Sequence, residues 1–300
     1  MRPIFKDAQL QEKYDKLGYV IVPFYTNEDI DSLFEIYNNL KSELDSRGFY
    51  ISIMSQDVAY KEQVNNLIRG VAAKRADNLF IDCNFISSSF AVKKPGKESE
   101  FDLHQGVNFT DESNHDTFTA WTPLVDVNEK NGCLYVIPGS HKMWNQIRKT
   151  PHFVSPIRNI KEHLWKFYAI KLEMKAGEAL VFHHKLIHGS KPNYSNVHRP
   201  ATLNAFIPKE APLLLYITKT DEPGDKTLEV YKFNKDNYYL LDVTRKPDYL
   251  DGVDLIGHDK EEIFTLTEED FDKIYDEKVK SHIPENLGRR PWWKTLIKLG

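Results

Sequence analysis

Apolar positions recur at two different periods along this chain. Residues 8–17 read as a short helix. Ile30, Leu33, Phe34, Tyr37 and Leu40 then fall three and four apart, the spacing of a helix with one buried stripe. Between them Gly18-Tyr19-Val20-Ile21-Val22-Pro23 reads as a strand. Thr26 precedes Asp29 by three positions, a capping-box start, so the second helix is expected to run from there to about Leu44. From about residue 79 the pattern turns β-like. Strand candidates are 79–93, 116–127, 133–137, 168–174, 179–187 and 200–207, separated by turn formers such as Lys94-Pro95-Gly96, Asn131-Gly132 and Lys175-Ala176-Gly177. Helices first and many short strands after predict an α+β domain with a β core.

Beyond residue 208 the signal thins. Leu213-Leu214-Leu215-Tyr216-Ile217 and Tyr238-Tyr239-Leu240-Leu241 are short apolar runs, read as strands or covering segments. Thr267-Glu268-Glu269-Asp270 opens a helix whose acidic first turn suits the positive end of the dipole. Phe271, Ile274, Tyr275 and Val279 would line its apolar side. The basic, aromatic tail Arg289-Arg290-Pro291-Trp292-Trp293-Lys294 is expected to pack on its own domain. The segment 45–75 and the region after 208 are expected to form a substrate-facing lid, since loops on a rigid scaffold carry specificity. In that segment Lys61, Arg69, Lys74 and Arg75 read as a solvated face.

Composition narrows the class. A hydrophobic fraction of 41% and a charged fraction of 28% fit an ordinary globular enzyme. A net charge of −4 gives no nucleic-acid footprint. Cys83 and Cys133 are too few for a disulfide framework and lie in no metal spacing, so both are expected as small buried hydrophobes in a reducing compartment. No apolar run reaches the ~18 residues a membrane span needs. The N-terminal stretch is charged rather than apolar, and a cytoplasmic location is expected.

The candidate chemistry lies in FDLHQGVNFTDESNHDTFTAWTPLVDVNEKNGCLYVIPGSH, residues 101–141. This stretch, together with the helix–strand–helix opening, resembles the phytanoyl-CoA dioxygenase family of iron(II)/2-oxoglutarate oxygenases. The resemblance covers roughly residues 15–207. It implies a double-stranded β-helix, a cupin-like jelly roll with flanking helices, whose mouth holds the metal. The expected organisation is one oxygenase-type domain over 1–300, with residues 208–300 covering the core.

The family holds iron with a His-x-Asp pair and a distant histidine. Of eleven histidines, His104 and His188 match that motif in context on both sides. Imidazole is a ready ligand for iron(II), and a facial set leaves positions open for a bidentate oxoacid and oxygen. His188-Gly189-Ser190 is followed by Arg199, eleven residues after the histidine. The resemblance makes Arg199 the clamp for the distal carboxylate of 2-oxoglutarate, a role its always-charged fork suits. It places Ser190 as a hydroxyl donor and Trp121 beside the co-substrate. Thr119, two residues before Trp121 on one strand face, is read either as a co-substrate contact or as interior packing. His184 is expected to pack beside the site. His141 belongs to a structural turn, and His115, His152, His163, His198, His258 and His282 are expected in solvent.

The departure from the family is Gly106, which stands where the carboxylate ligand would be. Glycine cannot ligate iron. In halogenases on this scaffold the vacated position takes chloride, which restores the lost ligand and the lost negative charge. The resemblance therefore implies an iron(II)/2-oxoglutarate-dependent halogenase, using O2 and chloride on an aliphatic carbon of a free or carrier-tethered small molecule, with Gly106 as the halide position. Three alternatives stay open. One is a hydroxylase in which Asp102, Asp111, Glu112 or Asp116 fills the gap. Another is a hydroxylase into which Gly106 was introduced by substitution. The last is a protein that binds 2-oxoglutarate without turnover.

Overall fold

A computed structural model describes residues 2–40, 47–150, 153–218, 226–234 and 253–287. The expected opening is present. Helix α1 (Ala8–Leu17) is capped by Asp7, whose carboxylate accepts from the backbone N–H groups of Gln9 and Leu10, and ends at Gly18 with φ of 79°. Only a residue free of a Cβ adopts that left-handed turn cheaply. Strand β1 (Tyr19–Pro23) follows, then α2 (Asn27–Asn39), opened by the Thr26–Asp29 capping box. Helix α2 stops at Asn39, short of the expected Leu44.

The segment expected as part of a lid holds β2 (Phe49–Ile51) and most of the long helix α3 (Val58–Leu79). Tyr60, Val64, Ile68, Ala72 and Ala76 form a stripe that steps by four along α3 and is buried in one apolar cluster with Phe90, Val92 and Phe206 of the main sheet. The basic residues of α3 are not one solvated face. Lys61 is buried, Arg69 lies over the Phe85 ring at 5.3 Å, and Arg75 pairs with Asp29 at 2.7 Å.

The remaining strands are β3 (Cys83–Lys93), β4 (Phe101–His104), β5 (Phe118–Pro123), β6 (Leu134–Val136), β7 (Ile170–Leu172), β8 (Glu178–His183), β9 (His188–Ser190) and β10 (Arg199–Pro208), with α4 (Lys161–Phe167) before β7. They form two antiparallel sheets. The larger runs β1-β8-β5-β10-β3-β2 and the smaller β4-β9-β6-β7. Trp121, Leu180 and Phe182 of the larger sheet share one buried cluster with Leu103, Leu134 and Val136 of the smaller. This is the double-stranded β-helix with flanking helices. Strands β4 and β9 are elements that hydrophobic patterning alone did not predict.

In the C-terminal part, β11 (Leu213–Thr218), β12 (Thr227–Phe233) and β13 (Val253–Lys260) form a third sheet, and Leu213, Leu215 and Ile217 pack against Phe109 and Ile207. Helix α5 (Glu268–Lys278), opened by a Thr267–Asp270 capping box, buries Phe271 and Tyr275, with Val279 just past its end. His163, expected in solvent, is buried on α4, with Nε2 2.8 Å from the Asp272 carboxylate of α5. The run 238–241 and the tail 289–294 lie outside the described residues. Cys133 is fully buried and Cys83 half-buried, both as free thiols. No described helix is long and apolar enough to cross a membrane.

Candidate active site

Strand alternation decides what faces the space between the sheets. On β5, Phe118 and Ala120 join the helix-covered cluster, whereas Thr119 and Trp121 turn inward. On β10, Phe206 points to the helices, whereas Arg199 and Leu203 face in. Phe182 of β8, Ala91 of β3 and Phe49 and Ile51 of β2 complete the wall on this side, and β4 and β9 bring His104, His188 and Ser190 from the other. Together with Gly106 and His184 these residues line a mostly apolar cavity of about 140 Å³.

His104 and His188 are direct register partners across β4 and β9, and their ring centroids lie 4.3 Å apart at 51°. His104 Nδ1 lies 2.8 Å from the Asp102 carbonyl oxygen, and His188 Nδ1 lies 2.9 Å from that of Leu186. A carbonyl only accepts, so in both rings Nδ1 carries the proton and Nε2 keeps its lone pair. Burial favours the neutral rings, pushing His104 down to about 4 and His188 well below the ordinary imidazole value. A backbone carbonyl fixing one ring nitrogen is how metal-binding histidines are commonly oriented.

Arg199 is 2% exposed, yet its Nε has no partner. Nη1 reaches only the Ala91 carbonyl at 3.4 Å, and the guanidinium stands 5.2 Å from the Trp121 ring centroid. Burial lowers its pKa to about 9, and no carboxylate among the described residues offsets this. Lys93, its register partner on β3, is also buried. The Lys93 ammonium donates to the carbonyls of Ser99, Ser190 (3.4 Å) and Lys191 (2.9 Å). Burial and the neighbouring Arg199 bring it down to about 6. Sequence reasoning missed this lysine, although it sits on the inward alternation of a recognised strand. Arg199, a buried guanidinium with no carboxylate partner among the described residues, makes this end of the cavity suited to an anion.

Gly106 follows β4. Its N–H donates to the His184 carbonyl at 2.8 Å and its carbonyl accepts from Arg148 Nε. A Cβ at this position would stand 3.0 Å from His184 Nδ1 and 3.1 Å from its Cγ. His184 is itself fixed, donating from Nδ1 to the Val107 carbonyl at 3.1 Å and accepting at Nε2 from the Thr119 hydroxyl at 2.8 Å. Burial holds this ring neutral too, with a pKa near 4. Thr119 therefore lines the cavity, but its hydroxyl is engaged with His184.

None of the four carboxylates considered as a replacement ligand lines the cavity. Asp102 binds Trp165 Nε1 at 2.9 Å and Lys161 at 2.8 Å. Asp111 accepts from Ser113 and Asn114, Glu112 is paired with Arg148, and Asp116 lies 3.1 Å from His183 Nε2. Among the described residues no three His, Cys, Asp or Glu side chains come together as a metal set. The chain offers two neutral imidazoles and, across the cavity, an unpaired arginine. This donor set fits a divalent metal that takes its remaining ligands from outside the protein, one of them a carboxylate-bearing molecule held by Arg199.

A family model described as phytanoyl-CoA dioxygenase (PhyH) matches residues 18–201, more than half of the sequence. The chain belongs to the phytanoyl-CoA dioxygenase family. Among relatives of this family member, phytanoyl-CoA dioxygenase 1 of Oryza sativa subsp. japonica is 36% identical over 123 residues, 39% of this chain and 42% of that protein. The peroxisomal phytanoyl-CoA dioxygenase of Bos taurus is 31% identical over 156 residues, 50% of this chain and 45% of that protein. The alignments thus span under half the length of these relatives. The crystal structure of the non-heme alpha ketoglutarate dependent carbocyclase SnoK from nogalamycin biosynthesis superposes with a TM-score of 0.50 at 18% identity, over 69% of this chain and 86% of that one. That likeness shows the jelly-roll fold.

Proposed function

We propose that this family member is an iron(II)/2-oxoglutarate-dependent halogenase that chlorinates an aliphatic carbon of a small molecule, free or carrier-tethered. One observation supports the reading: Gly106, two residues after His104 where the resemblance puts the carboxylate ligand, lines the cavity beside the two histidines, and no carboxylate among the described residues lines it. His104 and His188 would hold the metal through Nε2. Arg199 would take the distal carboxylate of 2-oxoglutarate, with Ser190 adding a hydroxyl and Trp121 walling the same end. Bound iron would supply oxygen activation at the expense of 2-oxoglutarate and the transfer of chloride to the substrate. The work left to the protein is positional. The apolar lining excludes water, the carbonyls of Asp102 and Leu186 orient the imidazoles, and Gly106 leaves room for an anion.

The second reading is a hydroxylase, favoured by the dioxygenase names of the relatives. Its version with an internal substitute carboxylate finds no support, because each candidate is engaged elsewhere. Product mass separates the readings. The purified protein is incubated with iron(II), 2-oxoglutarate, oxygen and panels of amino acids and acyl-carrier substrates, with and without chloride or bromide. Chlorinated or brominated product that requires the halide is expected. A gain of one oxygen indifferent to halide would establish the hydroxylase. Turnover of neither kind, with 2-oxoglutarate still bound, would leave a binding protein.

A further inference from the structure

The contacts at Gly106 continue away from the cavity. Arg148, in the segment after β6, is 2% exposed. Its Nε donates to the Gly106 carbonyl, Nη1 to the Gln146 carbonyl at 3.0 Å, and Nη2 to both oxygens of Glu112 at 2.7 and 2.6 Å. The Arg148 N–H donates to Asn108 Oδ1 at 2.6 Å, and the Asn108 N–H returns to the Arg148 carbonyl at 3.2 Å. Glu112 is 3% exposed, so the guanidinium charge is balanced where it lies. Arg148 is not a cation supplied to the cavity, and what it adds to the site is its hold on one peptide.

That peptide needs holding. A glycine has no Cβ to restrict its backbone, so the peptide after Gly106 can turn with little steric resistance. Turned inward, its carbonyl would bring the negative end of a dipole to the position beside His104 and His188, where an anion would otherwise sit. In the structure the Gly106 N–H is fixed on His184 and its oxygen points at Arg148, which is not a cavity-lining residue.

We propose that Arg148 is a positioning residue which, by holding the Gly106 carbonyl, keeps the coordination position next to the two histidines open to a small exogenous anion. The identity of the anion as a halide rests on the halogenase reading; the clamp itself does not.

The test uses two ways of breaking the clamp. Arg148→Lys loses the fork. Arg148→Met combined with Glu112→Leu removes both buried charges together, so neither is left unpaired should the single variant fail to fold. Glu112→Gln is the control, since it keeps the arginine and its bond to Gly106 while weakening the ion pair. Amide hydrogen exchange over residues 105–108 is followed in the metal-free protein. Chloride and bromide are titrated by absorbance into the protein loaded anaerobically with iron(II) and 2-oxoglutarate, beside a 2-oxoglutarate titration. In the clamp variants the amides flanking the released Gly106–Val107 peptide should exchange about tenfold faster or more, as expected when a local opening becomes easier. Halide affinity should fall by about tenfold while 2-oxoglutarate affinity stays within about twofold. Glu112→Gln should melt lower yet keep its halide affinity. Unchanged exchange in both clamp variants, or halide and co-substrate affinities falling in step, would overturn the proposal. A native protein with no halide response sinks the halogenase reading instead, and the exchange measurement then decides the clamp alone.

Discussion

His104 and His188 face one another as register partners, each with Nδ1 donated to the carbonyl of the residue two positions upstream, at 2.8 and 2.9 Å. The two rings reach the same tautomer by the same local device, one following Asp102-Leu103 and the other Leu186-Ile187. A histidine held in this way presents Nε2 without spending a side chain on orientation. His104→Ala or His188→Ala should therefore each abolish high-affinity iron(II) or cobalt(II) binding, because a two-ligand protein site has none to spare. Metal titration by calorimetry checks this. Binding that persists in either variant would remove that histidine from the site.

Arg199 carries a prediction with two opposite signs. Without an anion its buried guanidinium is unpaired, a state that costs several kcal/mol. Arg199→Met should leave the metal-free protein as stable as the native or more stable by about 1 kcal/mol, while a charge-assisted bond of roughly 1.5–3 kcal/mol to 2-oxoglutarate is lost. Co-substrate affinity should fall by about tenfold or more. Arg199→Lys should recover only part, because lysine lacks the planar fork. A methionine variant that melts far lower would recast Arg199 as a structural residue.

The parts of this picture legible in the sequence were those with local signals. The capping box at Thr26, the helix start at Thr267 and the alternation that turns Thr119 and Trp121 to one face all read directly. Helix α3 did not, because its buried stripe ends in Ala72 and Ala76 and has Lys61 and Asn65 buried beside it, so polar and apolar positions blur. Strands β4 and β9 are four and three residues long, too short for periodicity to show. The pairings of Arg148 with Glu112 and of His163 with Asp272 join residues 36 and 109 positions apart, a separation no local pattern encodes.

The Thr119–His184 bond gives a stability prediction. Thr119→Val keeps the shape of the side chain but leaves His184 Nε2 buried without a donor. An unsatisfied buried polar atom costs about 1–3 kcal/mol, so the variant should melt several degrees lower. If Thr119 acts only through His184, its 2-oxoglutarate affinity should stay near native. A variant with unchanged melting but weakened co-substrate binding would make Thr119 a direct co-substrate contact, the other of its two readings.

Stability should also fall in mild acid. Burial brings His184 down to about 4 and His141 well below its ordinary value. Unfolded imidazoles titrate near ~6.5, so between there and pH 4 the unfolded chain binds more protons than the folded one. Stability is then fully present above that value and is lost as pH drops, by up to about 1.4 kcal/mol per pH unit for each such histidine. Asp270, bonded by Thr267, is held below the ordinary carboxylate range and titrates under this window. Melting scans of the metal-free protein from pH 7 to pH 4.5 test the slope, and His184→Gln should reduce it by the share of one histidine. A flat profile in the native protein would mean that these rings accept protons in place.

The replacement Gly106→Asp restores the family's His-x-Asp pattern and sets two effects against each other. The carboxylate adds a ligand and a negative charge beside the two imidazoles, so affinity for a divalent metal should rise, and halide should lose both its space and its electrostatic reason to bind. The new Cβ must also fit 3.0 Å from His184 Nδ1, in a ring tied to Val107 on one side and Thr119 on the other. Because neither bond yields freely, the substitution should cost about 1–3 kcal/mol, the usual range for overpacking a filled site. His184→Ala in the same chain should relieve that strain and recover part of the melting temperature. The measurements are metal affinity, halide titration and melting of the single and double variants, with product mass for the single variant. Loss of halide response with tighter metal binding, and either weak hydroxylation or no turnover, is the expected result. Halide dependence that survives in Gly106→Asp would show that the anion binds elsewhere, and the assignment of position 106 would fail with it.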